Sequence, residues 1–222
     1  MSLWIKICAN TTLADAQLAA DAGADAVGFV FAPSPRRVTA AQVAEITPHL
    51  PKEIEKIGVF VDADYAEIAR TIEQAGLTGA QLHGGGGSDT AGQLRAQFGP
   101  SLRILQVIHF GTDAAGELRR AVANANTDGV LVDSRTATAV GGTGISFDWK
   151  AARETIFSRG NHLKLIAAGG LTPANVAQAI EILRPWGVDV ASGVEAVPGR
   201  KDSRKVAEFV AGARSASLAA KA

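Results

Sequence analysis

Eight short apolar runs, each closing in polar or small residues and each followed by a stretch patterned for a helix, constrain this chain more than any other feature. The runs are Trp4–Ile7, Ala26–Phe31, Lys56–Val61, Ala80–Leu82, Arg103–Ile108, Val130–Val132, Leu165–Ala168 and Val188–Ala191. Helical segments are predicted from Thr11 or Thr12 to Ala22, then over Ala40–Leu50, Asp64–Ala75, Thr90–Phe98, Ala114–Asn124 and Asp148–Phe157. A seventh opens with Thr172 as N-cap and Pro173 at its first position, and Arg204–Ala216 forms the last. Gly23 and Gly76 stand where C-caps belong, and Pro51 stops the second helix. Continuous apolar runs are the mark of parallel strands buried on both faces. Eight strand–helix units recurring about every 25 residues imply a parallel sheet that closes on itself. The expected fold is α/β: a single (β/α)8 TIM barrel over residues 1–222, with Ser215–Ala222 as a fraying tail. An open doubly wound sheet would want a glycine fingerprint after the first strand, and Cys8-Ala9-Asn10-Thr11-Thr12 is not one.

Composition narrows the class of function. The 222 residues are 47% hydrophobic, enough for one sizeable core. Lys and Arg together number 22 and so do Asp and Glu, so no basic field calls for nucleic acid or a membrane surface. One cysteine excludes an internal disulfide framework and suits a reducing cytoplasm. The opening Met1–Cys8 lacks the apolar core of a signal peptide, and no apolar run is long enough to span a bilayer. The expectation is a cytoplasmic protein acting on a small molecule, as a monomer or homodimer, without nucleic acid or membrane partners.

A barrel of this kind builds its site at the C-terminal ends of the strands. The residues standing there are Cys8, Arg36, Asp62, His83, His109, Asp133, Gly169 and Ser192. Each has a plain structural reading. Cys8 is by type a small core residue, but it opens into the barrel mouth. Lys6 precedes it by two on the same strand face, roughly 6.5 Å away, where an ammonium would favour the thiolate. Asp133 is a loop cap or, across the barrel from Cys8, one half of an acid–base pair suited to proton shuttling. Arg36, on the stiff Ser34-Pro35 loop, is the better candidate to grip a carboxylate bidentately, while Arg37 reads as solvated surface charge. His83 and His109 read first as satisfied strand-end histidines.

The seventh and eighth runs carry one device twice. Each ends in small residues, Gly169-Gly170 and Ser192-Gly193, which let backbone N–H groups approach a ligand closely. With a helix N-terminus behind them they form an anion grip, in the place where such barrels hold phosphate. The run Gly141-Gly142-Thr143-Gly144 lies one unit earlier and reads as a lid over that grip.

With these residues in hand, the chain resembles the phosphoribosylanthranilate isomerase family of tryptophan biosynthesis. The matching pieces are Lys6–Cys8, Gly28–Arg36, Gly58–Asp62, Gln81–Gly84, Val132–Ser134, Gly141–Trp149, Ala168–Val176 and Asp189–Asp202. In this order, over almost the whole chain, they are highly specific. The resemblance implies an Amadori rearrangement with Asp133 as general acid, Cys8 as general base and Arg36 on the anthranilate carboxylate. It places the phosphate on Gly169, Gly170, Ser192 and Gly193 under Gly142 and Gly144, with His83 beside the substrate, and it implies no metal or cofactor. Where the family commonly has glycine after the cysteine, this chain has Ala9-Asn10. The loop after His83 is Gly84–Gly87, without the family's usual acidic residue.

Two other readings start from the same strand ends. Asp62, His83 and Asp133 could ligate a divalent cation in a metal-dependent sugar-phosphate epimerase or aldolase. A non-catalytic phosphate-binding barrel would keep the anion grip alone. The first gives the Cys8–Asp133 pair and the Arg36 loop no task, and the second has no need of both an acid and a base. A dual-substrate relative would want a carboxylate at the end of the first strand, where this chain has Cys8.

Overall fold

The computed structural model describes residues 2–84, 88–111, 113–133, 148–158 and 163–219. Eight parallel strands close into a barrel: β1 (Trp4–Ile7), β2 (Ala26–Val30), β3 (Glu55–Val61), β4 (Gly79–His83), β5 (Arg103–His109), β6 (Gly129–Asp133), β7 (Lys164–Ala167) and β8 (Gly187–Val190). Each pairs with its neighbours in chain order, and β8 closes the ring on β1 with Lys6 opposite Asp189. Closure disposes of the open-sheet alternative.

The helices are α1 (Leu13–Asp21), α2 (Ala40–Ala44), α3 (Tyr65–Ala75), α4 (Ser88–Phe98), α5 (Ala114–Ala123), α6 (Trp149–Ala152), α7 (Val176–Leu183) and α8 (Ser203–Ala219). Helix α3 shows why such segments form where they do. Its N-cap Asp64 accepts the Glu67 N–H, and Ile68, Ala69, Ile72 and Ala75 turn one apolar stripe onto the sheet. Gly76 ends it at φ +61°, a conformation glycine takes without Cβ strain. The core has two parts. Trp4, Ala26, Ile57, Leu105, Val107, Leu131, Ile166 and Ala168 form one buried cluster, and Ile5, Ile7, Val27, Phe29 and the helix stripes form a larger one.

Several predicted boundaries move, each for a physical reason. Helix α2 stops at Ala44 and a 3-10 turn, Thr47–His49, follows, because Pro48 brings no N–H to an α-helical ladder. Trp149–Ala152 is one α-turn that widens into a π-turn over Arg153–Phe157. Helix α7 begins at Val176, one turn later than expected, with Asn175 and not Thr172 as N-cap. There the Asn175 side chain accepts the Thr172 N–H and donates to Gly170 O, which draws Thr172 and Pro173 into the preceding turn. Helix α8 runs on to Ala219, past the expected fray at Ser215, where Ala216, Leu218 and Ala219 are all good helix formers. Cys8 lies just beyond β1 and not within it, although its N–H still bonds Val190 O at 2.7 Å. A hairpin after the eighth strand, β9 (Glu195–Val197) with β10 (Arg200–Lys201), was not foreseen. No helix among the described residues is long and apolar enough to cross a membrane.

Candidate active site

The buried floor of the site is polar. Lys6, fully buried, donates to Gln81 Oε1 at 2.8 Å and Asp189 Oδ1 at 2.9 Å, tying β1 to β4 and β8. Burial alone would lower its pKa; the Asp189 carboxylate and the Cys8 sulfur reverse that and hold it above the ordinary lysine value. Cys8, two residues on, is also buried. Burial pushes its thiol up, Lys6 pulls it down, Asp189 pushes it up again and Lys201 pulls it down; the net position is above that of an ordinary thiol. Lys6 thus favours the thiolate, as the strand spacing suggested; burial of the sulfur outweighs it, and Asp189 adds to the rise.

Space for the sulfur comes from Gly28 on β2. A Cβ there would stand 2.6 Å from Cys8 Sγ and 2.9 Å from Lys6 Cε. Just past the sulfur, Ala9 carries φ +63°, the left-handed backbone that glycine takes freely. The turn keeps a glycine's shape with alanine in it, and Asn10 fastens it by donating its amide to Ile7 O at 2.8 Å and Gly28 O at 3.2 Å.

Asp133 ends β6, buried, three strands from β1 by the shorter way round the ring. Beside it in register is His109, whose Nε2 lies 2.9 Å from His83 Nε2, so one ring donates and the other accepts. The predicted His83 thus sits in a histidine pair at the ends of β4 and β5. Asp62 follows β3, its carboxylate beside Gly84. Among the described residues, no three His, Cys, Asp or Glu side chains are placed to hold a metal ion together.

Arg36 is half-buried and Arg37 exposed, as the loop suggested. What sequence reasoning missed is its partner. Glu195 takes the Arg36 fork bidentately, from Nε at 2.8 Å and Nη2 at 2.7 Å. Glu195 thus occupies the Nε–Nη2 edge of the guanidinium. Burial would raise the Glu195 pKa, but Arg36, Lys201 and the Gly199 N–H hold it below the usual carboxylate range. Lys201, whose side chain is fully buried, donates to Cys8 O at 2.6 Å and Ala191 O at 3.2 Å and stands 3.5 Å from Glu195 Oε1. Asp189, Glu195 and Lys201 lay inside the matched pieces as unassigned letters. For Asp189 and Glu195 the one sequence signal is a charge set among apolar or small residues, as in Val188-Asp189-Val190; Lys201, between Arg200 and Asp202, carries none.

Gly169 and Gly170 follow β7 with φ +80° and +65°. Ser192 and Gly193 lie in a 3-10 turn, Ser192–Val194, after β8. A Cβ on Gly193 would overlap Leu171 O, so the two loops touch backbone to backbone. The expected lid residues Gly142 and Gly144 lie outside the described residues, as does Gly85–Gly87 of the loop after His83.

A family model described as N-(5'phosphoribosyl)anthranilate (PRA) isomerase matches residues 5–212. The chain belongs to this family. The N-(5'-phosphoribosyl)anthranilate isomerase of Acidithiobacillus ferrooxidans is 44% identical over 213 residues, covering 95% of this chain and 97% of that one. The solved phosphoribosyl anthranilate isomerase of Thermotoga maritima superposes with a TM-score of 0.84 at 32% identity, over 96% of this chain and 99% of that one. A second, solved in complex with reduced 1-(o-carboxyphenylamino)-1-deoxyribulose 5-phosphate, superposes with a TM-score of 0.81 at 30% identity and the same coverage. For this member of the phosphoribosylanthranilate isomerase family, the strand-end residues now have a reaction to be weighed against.

Proposed function

We propose that this chain carries out the Amadori rearrangement of N-(5-phosphoribosyl)anthranilate to 1-(2-carboxyphenylamino)-1-deoxyribulose 5-phosphate, with Asp133 as general acid and Cys8 as general base. Asp133 gives a proton to the furanose ring oxygen while the anilino nitrogen lone pair expels it from C1, leaving an iminium ion. The Cys8 thiolate then removes the proton from C2, and the pair of electrons freed neutralises the iminium as an enolamine. Cys8 then returns a proton to C1 while the C2 hydroxyl gives its proton back to the Asp133 carboxylate, which leaves the ketone and restores both groups, so no proton is gained or lost overall. Arg36 orients the anthranilate carboxylate through its Nη1 edge, and the paired loops at Gly169-Gly170 and Ser192-Gly193 take the phosphate. His83 borders the sugar; the expected lid residues Gly142 and Gly144 lie outside the described residues. The substrate's own nitrogen serves as electron source and sink, so no cofactor is called for.

One observation carries this reading. The only cysteine stands two residues beyond a buried, ion-paired lysine, on the strand-end face that Asp133 also reaches. A catalytic thiol with no second cysteine to pair with fits the reducing cytoplasm. The test is the loss of phosphoribosylanthranilate fluorescence on adding purified protein in the presence of EDTA. Steady turnover supports the reading. A substrate signal that decays no faster than its spontaneous breakdown ends it, and turnover abolished by EDTA and restored by a divalent cation favours the metal-dependent alternative.

A further inference from the structure

Two buried charges of the hairpin β9–β10, Glu195 and Lys201, have no part in the rearrangement itself; Glu195 grips Arg36, and Lys201 stands beside Glu195. Nothing about Glu195 suits it to hold substrate. It is an anion in a place where an anionic group is to be bound, and it already occupies the Nε–Nη2 fork of the guanidinium. Arg36 and Glu195 alone make a neutral pair, and a second carboxylate brought to it would face as much repulsion as attraction. Lys201 changes the sum. Its ammonium is 3.5 Å from Glu195 Oε1 and is otherwise spent on two backbone carbonyls, Cys8 O and Ala191 O. Counted with the Cys8 sulfur as a thiol, two cations and one anion leave one positive charge, which a single carboxylate cancels on the Nη1 edge of Arg36, an edge that no described residue takes.

We infer that Lys201 and Glu195 are positioning residues for the substrate carboxylate: Glu195 aims Arg36, and Lys201 supplies the charge that makes the aimed guanidinium a receptor for one carboxylate. The inference rests on the reading that Arg36 faces the anthranilate ring. Burial of the Lys201 side chain disfavours its charge, the Glu195 carboxylate beside it favours the ammonium, and the same burial limits screening of that charge by salt. The same ammonium ties the Cys8 turn to the end of β8, so the base, the carboxylate receptor and the phosphate loops share one fastening.

The test compares two competitive inhibitors: the reduced product analogue bearing the carboxyphenyl group, and the same compound with a plain phenyl group. The ratio of their inhibition constants reads carboxylate recognition and is blind to a general loosening of the fold. Wild type is expected to favour the carboxylate compound. Lys201→Met shrinks that preference by about tenfold or more, the scale of one charge a few ångströms away in a partly buried site. Lys201→Arg retains it. Glu195→Gln, which is isosteric and keeps one acceptor for Arg36, widens it. Adding Glu195→Gln to Lys201→Met restores the sum of charges and brings the preference back towards wild type. A preference unmoved by Lys201→Met, or both inhibitors weakened alike, overturns the inference, and so does a preference that Glu195→Gln leaves flat or narrows, should Lys201→Met not fold. A wild-type enzyme indifferent to the carboxylate sinks the reading of Arg36 instead.

Discussion

Substituting alanine for Gly28 introduces one methyl group into the space that the sulfur of Cys8 occupies. The new Cβ would stand 2.6 Å from Sγ and 2.9 Å from Lys6 Cε. Ordinary carbon contacts begin near 3.5 Å, so something must move by roughly 1 Å. Lys6 is held at its tip by Gln81 and Asp189. Cys8 is a single-rotor side chain just past a strand, so it is the sulfur that yields. Overpacking of this kind costs about 1–3 kcal/mol, and misplacing a reacting group by about 1 Å costs about 10²-fold in rate. The expected variant therefore melts several degrees lower, remains folded, and turns over about a hundredfold more slowly with a KM little changed. Fluorescence loss of the substrate gives kcat and KM, and a thermal melt gives the stability. A Gly28→Ala protein with wild-type kcat would mean that the sulfur is not where the chemistry happens, and the mechanism would fall.

Other consequences can be checked on the same preparations. Ala9→Gly relieves the left-handed strain after Cys8, and the expected gain is about 0.5–1 kcal/mol, or a rise in Tm of about 2 °C; an unchanged or lower Tm would show that Ala9 sits there without strain. Lys6→Met leaves the Asp189 carboxylate buried without its cation, at an expected cost of about 3–5 kcal/mol in urea unfolding. Because Lys6 pulls the Cys8 thiol down, alkylation of the sole cysteine in this variant should shift to higher pH; an unshifted profile refutes the coupling. Glu195 has a folded pKa below its unfolded value of about 4.3, so its stabilisation is complete above that pH and is lost as pH falls through the folded value. The stability gap between wild type and Glu195→Gln should hold steady above about pH 5 and narrow in acid; parallel curves down to pH 3 would contradict the linkage.

Most of the barrel was legible because its cause is local and periodic. Apolar runs such as Trp4–Ile7 and Val130–Val132 have few alternatives to being buried strands, and the residue after each run had to reach the mouth. Cys8 and Asp133 were singled out this way, and Arg36 by the proline-stiffened loop after Ala26–Phe31. The partners were not, because Lys6–Asp189 and Arg36–Glu195 join residues 183 and 159 apart in the chain. Only closure of the ring and the β9–β10 hairpin bring them together. Local rules failed where two good residues competed: Thr172 could cap a helix, but Asn175 reaches both Thr172 N and Gly170 O and wins. The pull of Lys6 on Cys8 was visible from the strand, but the burial that outweighs it and the Asp189 carboxylate that adds to it come only with closure of the barrel.

The most direct trial of the acid–base pair is turnover of phosphoribosylanthranilate by Cys8→Ala and Asp133→Asn, each with its melting curve beside it. Both variants are expected to fold as wild type does and to lose about 10²–10⁴-fold or more in kcat. Either one turning over at close to the wild-type rate would contradict the assignment.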